Sequence, residues 1–278
     1  MFGLRKVEWE KRLAKKAKPR IIQKISINSN CLLIGLSNGV IIRWKLNDSA
    51  KDPEEIELNT KPEDVIEQIF VDCSGHHSLI GMKSGETFYL HSKMLKPKKL
   101  SKLQGLIESA AFDKYNSSDV TTKSILVGTS SGAIYEIILD NTGKEKYFQQ
   151  IYQLSPPMAI NAIYYEPINT SGEGLTMSGN AEKYYVLFST DSPTRLYHIV
   201  GGPSLHQLFS ELTNDPPFIE LPGEVARAEL ICYSKTQSPK SDFFALLTGA
   251  GIYHGSLKEI RSGQVSLDFD CDFSNGFS

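Results

Sequence analysis

A chain of 278 residues holds one large domain or two ordinary ones, and 40% hydrophobic against 22% charged residues supplies a core and excludes a mostly disordered chain. A formal net charge of −2 argues against a general polyanion binder, so no nucleic-acid partner is expected. No apolar run approaches the ~20 residues that span a bilayer, and the four scattered cysteines (Cys31, Cys73, Cys232, Cys271) read as reduced cytosolic thiols.

Residues 1–20 concentrate positive charge. Eight Lys and Arg face only Glu8 and Glu10, a local net of +6, which leaves −8 for the remainder. The two glutamates count against a mitochondrial presequence, and no apolar core of a signal peptide is present. "VEWEKRLAKKAK" (7–18) reads as a basic tail or short helix that ends before Pro19, with Val7, Trp9 and Leu13 as a weak apolar stripe for a membrane surface or partner.

From residue 21 the chain repeats itself. "CLLIGLSNGVIIRWKL" (31–46), "HSLIGMKSGETFYLHS" (77–92) and "SILVGTSSGAIYEIIL" (124–139) share an apolar run, a glycine, a short polar segment, a second glycine and a strand-like run. The first glycines, Gly35, Gly81 and Gly128, are spaced by 46 and 47 residues, and so are the second, Gly39, Gly85 and Gly132. Two weaker copies follow. "YYVLFSTDSPTRLYHIV" (184–200) carries Pro193 in its turn with a longer loop, and "FFALLTGAGIYHGSL" (243–257) has Gly249 and Gly251 there. All eight glycines are expected to be structural turn glycines, because their backbone angles would be opposed by a Cβ.

A short apolar run bounded by turn residues is a strand buried on both faces. The run after it is rich in β-branched and aromatic residues, so each copy is a hairpin. A partly alternating strand precedes each hairpin, at 21–28, 66–72, 107–113, 159–166 and 226–234, and a segment such as "EEIELN" (54–59) closes the unit. Four strands in 46–60 residues is the size of a β-propeller blade. Which strand is innermost stays open at this level. "QVSLDFDCDFSNGFS" is placed as the opening of a sixth blade, and "PSLHQLFSEL" (203–212) as a short helical insertion between blades four and five. The fold class is therefore all-β, a WD40-like propeller with about five blades, occupying 21–278 after the basic segment 1–20.

The phrasing is more specific than a generic propeller. "SGETFYLH" (84–91), "KPKKLSKLQGLIESAAF" (96–112), "ILVGTSSGAIYEIIL" (125–139) and "LTGAGIYHGSL" (247–257) resemble the amino-terminal β-propeller region of the vacuolar protein sorting-associated protein 18 (deep orange) family. The Gly-His and Trp-Asp signatures of ordinary WD40 repeats are missing. The resemblance covers roughly residues 22–260. It implies a seven-bladed propeller followed by a helical solenoid and a RING zinc finger. It also implies a subunit of the HOPS and CORVET tethering complexes of endosomes and of lysosomes or vacuoles. Partners would be other tethering subunits and, indirectly, Rab GTPases and SNARE proteins; the location would be cytoplasmic and peripheral on those membranes. With about five blades, no solenoid and no RING, the chain is expected to be a truncated product, isoform or incomplete gene product of a longer protein.

The chemistry-bearing residues point away from catalysis. Cys73, His76 and His77 resemble half a zinc site, and a turn at Lys83–Gly85 sets His77 opposite His91. The positions matching this pair are Cys31 and Lys45 in the first copy, and Ser124 and Ile138 in the third, so ligands do not recur. No metal, no cofactor and no catalytic residue are expected. Ser78 lies beside His77 but points to the opposite strand face, and no G-x-S-x-G elbow or phosphate loop occurs. The lysines of "KMLKPKKLSK" (93–102) read as a solvated connector, with anionic lipid or an acidic partner as the functional alternative. The expected function is a non-enzymatic interaction module, with the inserts 167–183 and 234–242 as candidate contact loops. The alternatives are a scaffold propeller outside vesicle traffic, or a hydrolase or lyase with acids recurring on the innermost strands.

Overall fold

The computed structural model describes residues 20–47, 52–61, 63–168, 183–212, 216–220, 229–234, 241–248, 251–259 and 265–270, with side chains up to residue 220 apart from Ile168. The described residues form five four-stranded antiparallel sheets, each taken in chain order. The first blade is β1 (Ile22–Asn28), β2 (Cys31–Leu36), β3 (Val40–Lys45) and β4 (Glu54–Glu57). The second is β5 (Ile66–Val71), β6 (His77–Met82), β7 (Thr87–His91) and β8 (Lys98–Lys99). The third is β9 (Ile107–Phe112), β10 (Thr121–Thr129), β11 (Ala133–Asp140) and β12 (Glu145–Gln153). The fourth is β13 (Ile160–Ile168), β14 (Lys183–Asp191), β15 (Thr194–Gly201) and β16 (Phe218–Glu220), and the fifth is β17 (Glu229–Ser234), β18 (Ser241–Thr248), β19 (Gly251–Glu259) and β20 (Val265–Asp270).

The first strand of each blade lies innermost, with β1, β5, β9, β13 and β17 succeeding one another. The larger cores lie between blades, and a smaller cluster of Ile34, Leu36, Val40 and Ile42 lies within the first blade. All six residues of β6 are buried, and neighbours on it serve opposite seams. Ile80 packs with Leu33, Ile41 and Ile56 of the first blade, whereas Leu79 packs with Ile107, Ile125 and Val127 of the third. The period of two along a strand makes this division automatic. Each such side chain contributes about 1.5–3 kcal/mol on burial, so a blade gains most of its stability against its neighbours.

Two placements differ from expectation. The helix α1 (Leu205–Ser210) lies inside the fourth blade, between β15 and β16, rather than between blades four and five. Ser204 caps it by accepting from the Gln207 amide, and Leu205, Leu208 and Phe209 bury against the seam of blades three and four. Residues 265–270 do not open a sixth blade. They pair with β19 and close the fifth.

The turns separate the two glycines of each repeat. Gly39, Gly85 and Gly132 have φ of +69°, +88° and +80°, and each amide donates to the carbonyl three residues earlier. That is a tight turn with a left-handed last residue, which favours glycine. Gly35, Gly81 and Gly128 are not turn residues at all. They lie inside β2, β6 and β10, paired with Lys24, Gln68 and Ser109 of the innermost strands. Gly251 is the first residue of β19, and Gly249 lies outside the described residues. The fourth blade joins β14 to β15 through a two-residue turn, Ser192–Pro193, shorter than the loop expected there.

Candidate functional site

The strand glycines are sockets. A Cβ on Gly35 would lie 3.0 Å from Ile66 Cγ2, one on Gly81 2.5 Å from Ile107 Cγ1, and one on Gly128 2.7 Å from Ile160 Cγ2. In each case the isoleucine opens the innermost strand of the next blade. Directly after it comes a β-bulge: the register slips at Gln23, Glu67, Glu108 and Asn161 in four successive blades. Polar residues thus recur on the innermost strands at one equivalent position, and two of them are acids. The repeated "IE" at 66–67 and 107–108 was the signal for this. Gln23 Oε1 accepts from the Ile66 amide at 3.0 Å, and Gln68 Nε2 donates to Glu108 at 3.4 Å, so these side chains tie the first blade to the second and the second to the third.

The densest polar cluster sits at one end of the seam between blades two and three. His77 pairs with His91 across the β6–β7 hairpin, as the turn count implies. The loop 113–120, between β9 and β10, reaches over this pair. Buried Asp72 accepts from the His77 amide at 2.9 Å with one carboxylate oxygen, and from Ser74 Oγ and Ser117 Oγ with the other. His77 is completely buried and both its ring nitrogens are engaged. Nε2 faces the Ser118 carbonyl at 2.6 Å, so it carries the proton; Nδ1 then accepts from the Tyr89 hydroxyl at 2.6 Å. Burial holds the His77 imidazole below its ordinary pKa and pushes the Tyr89 phenol up, which keeps both neutral.

His91 is the junction of three blades. Its carbonyl accepts from Arg43 Nη1 of the first blade at 2.8 Å, and Arg43 is itself held by Glu54 at 2.6 Å. Its Nδ1 accepts from the Lys93 amide at 3.3 Å, and its Nε2 faces Asp119 Oδ1 at 3.4 Å. Burial, then the His77 ring, hold the His91 imidazole below its ordinary pKa. Asp119 also takes the Lys93 ammonium at 2.5 Å, and that bond holds its carboxyl below the usual range. His76 completes the group, its Nδ1 3.1 Å from Ser92 Oγ and 3.8 Å from Asp119. Cys73 is exposed and donates to the Lys114 carbonyl.

Three lysines of the connector 93–102 are ion-paired: Lys93 with Asp119, Lys99 with Glu86 and Lys102 with Glu145. Pairing removes much of the charge that a lipid headgroup would meet. Of the inserts 167–183 and 234–242, residues 169–182 and 235–240 lie outside the described residues and the ends belong to strands; the segment 1–19 and Cys271 also lie outside them. Among the described residues, no helix is long and apolar enough to cross a membrane.

Sheets stacked face to face, the first three each socketed into the next and with the first strand innermost, define a β-propeller, a repeat protein that presents wide, rigid faces. The chain belongs to the Pep3/Vps18/deep orange β-propeller family, whose model matches residues 1–270. It is 34% identical over 244 residues to vacuolar sorting protein 18 of Arabidopsis thaliana, covering 85% of this chain and 24% of that protein. It is 28% identical over 269 residues to the vacuolar protein sorting-associated protein 18 homolog of Danio rerio, covering 90% and 26%. The chain thus spans about a quarter of the length of these relatives. Among solved structures, Hsv2 of Kluyveromyces lactis shares the fold at a TM-score of 0.52 and 8% identity, over 90% of this chain and 72% of that one.

Proposed function

We propose that this propeller is a non-enzymatic interaction module of a vacuolar-sorting subunit that works within a HOPS- or CORVET-like tethering complex. The observation that carries the reading is the family match along residues 1–270. The geometry suits it. The buried histidines hold blades together, with His77 committed to Tyr89 and Ser118, and the socketed seams make a rigid body on which exposed loops are presented to partners. The partners are other tethering subunits, with Rab GTPases and SNARE proteins reached through them. The site of action is the cytoplasmic surface of late endosomes and of lysosomes or vacuoles, with peripheral membrane contact made through the complex. The function served is capture and fusion of vesicles on the endosome-to-vacuole route.

Affinity purification of the protein from its own cells tests this. Sibling tethering subunits are expected to co-purify in stoichiometric amounts. If none does, the tethering reading fails and a scaffold outside vesicle traffic replaces it.

A further inference from the structure

We propose that His76, His91 and Asp119 form a divalent transition-metal site, suited to zinc, that pins the loop 113–120 of the third blade onto the second. The donors are His76 Nδ1, His91 Nε2 and a carboxylate oxygen of Asp119, all within 4.8 Å of one another. Zinc bonds of about 2.0–2.2 Å in a tetrahedral site set donors about 3.3–3.5 Å apart. His91 Nε2 and Asp119 Oδ1 already stand at 3.4 Å, and His76 Nδ1 is 3.8 Å from the same oxygen. The two imidazole donors stand up to 4.8 Å apart, so His76 must move by about an ångström toward His91 to close the set.

A second observation points the same way. His91 is 1% exposed, and its Nε2 is buried without a hydrogen-bond partner; so is Asp119 Oδ1 opposite it. An imidazole N–H and a carboxylate oxygen buried face to face at 3.4 Å with no better-aligned hydrogen bond are under-satisfied, where such atoms are nearly always well bonded. A cation between them satisfies both. Two imidazoles and one carboxylate are a zinc-type donor set. His76 and Asp119 have side chains about two-fifths exposed, at 40% and 38%, so the fourth position opens to water.

The site is not the cross-strand pair that the sequence suggests. His77 has no lone pair to offer, because its Nδ1 accepts from Tyr89 and its Nε2 donates to Ser118. His76, one residue earlier and half-exposed, takes its place. Three features moderate the affinity. His76 Nδ1 lies 3.1 Å from Ser92 Oγ, a contact that metal binding displaces. The Lys93 ammonium occupies the other oxygen of Asp119, although its side chain is two-thirds exposed and free to swing away. The Lys93 amide also faces His91 Nδ1, so the neutral ring carries its proton on Nε2. Metal binding moves that proton to Nδ1 and gives up a 3.3 Å hydrogen bond; no net proton is released from His91.

The test is zinc titration of the purified 278-residue chain at about pH 7.5 by isothermal calorimetry, with bound zinc counted after gel filtration. One zinc per chain is expected. His76→Ala and Asp119→Asn, both at partly exposed positions, should each lose about tenfold or more in affinity. Lys93→Met should bind more tightly than wild type, because the competing ammonium is gone. Cys73→Ser should bind unchanged. Cobalt in place of zinc should give the visible absorption of a tetrahedral site in wild type and not in His76→Ala. No saturable binding up to about 100 μM zinc, or equal affinity in wild type, His76→Ala and Asp119→Asn, overturns the proposal.

Discussion

At Gly81 a single added carbon would sit 2.5 Å from Ile107 Cγ1, closer than packed carbons approach. Gly81→Ala is therefore expected to cost about 1–3 kcal/mol, measured by urea unfolding. Gly35→Ala should cost less, since its contacts at 3.0–3.2 Å are to the branch and end methyls of Ile66 and Ile69. Gly81→Ala combined with Ile107→Ala should be less destabilised than the sum of the single variants, because the second change vacates the space the first one needs. Equal additive losses would refute the socket. Gly85→Ala is a different experiment: its φ of +88° strains any L side chain, at about 1 kcal/mol, and no partner variant should rescue it. The sequence shows both glycines of each repeat at a constant spacing, but not this division of labour. A glycine needed for its backbone angle and one needed for its missing side chain look alike in a string of letters. The difference lies in Ile66, Ile107 and Ile160, which come from the next blade.

Between elements, the loop 113–120 and the hairpin of β6 and β7 form a seam whose histidines must stay neutral. His77 and His91 both titrate below the ordinary value of about 6.5 in the folded chain. Their contribution is fully present above about pH 6.5, where neither state is protonated, and is lost as pH falls toward the folded values, because the unfolded chain then binds protons the folded chain refuses. The loss is at most about 1.4 kcal/mol per pH unit for each histidine. Asp72, Asp119, His76 and Lys93 surround the pair, and Lys93 holds the Asp119 carboxyl below the usual range. Melting temperature, measured with a chelator present, should fall between about pH 7 and 5.5, and His91→Gln should flatten that slope. A slope unchanged in the variant would rule His91 out. Asp72→Ala should cost about 1–3 kcal/mol, since it strips acceptors from the His77 amide, Ser74 and Ser117 together, and limited proteolysis should then cut within 113–120 first. The register of His77 against His91 is readable from the turn residues alone. The arrival of Ser117, Ser118 and Asp119 from 40 residues downstream is not, because loop docking leaves no periodicity.

For the whole molecule, larger cores that lie between neighbouring blades make stability chiefly a sum of seams. Phe188 tests this at the seam of blades three and four. It is fully buried, stacks on Tyr197 with centroids 4.6 Å apart and planes within 6°, and meets Tyr152 of the third blade at 6.3 Å. Phe188→Ala is expected to cost about 3–5 kcal/mol at that seam. In a stack with nearest-neighbour coupling, the cost is not shared evenly: the blades beyond the broken seam should unfold first while the first two blades persist. Trp44 in β3 reports on the first blade, and a Trp9→Phe background leaves it as the single indole. In that background the wild-type chain should show coincident urea transitions by Trp44 fluorescence and far-ultraviolet circular dichroism. Phe188→Ala should separate them, with circular dichroism falling at the lower urea concentration. Coincident transitions shifted together would mean that the five sheets unfold as one unit and that seams are not the elements of stability.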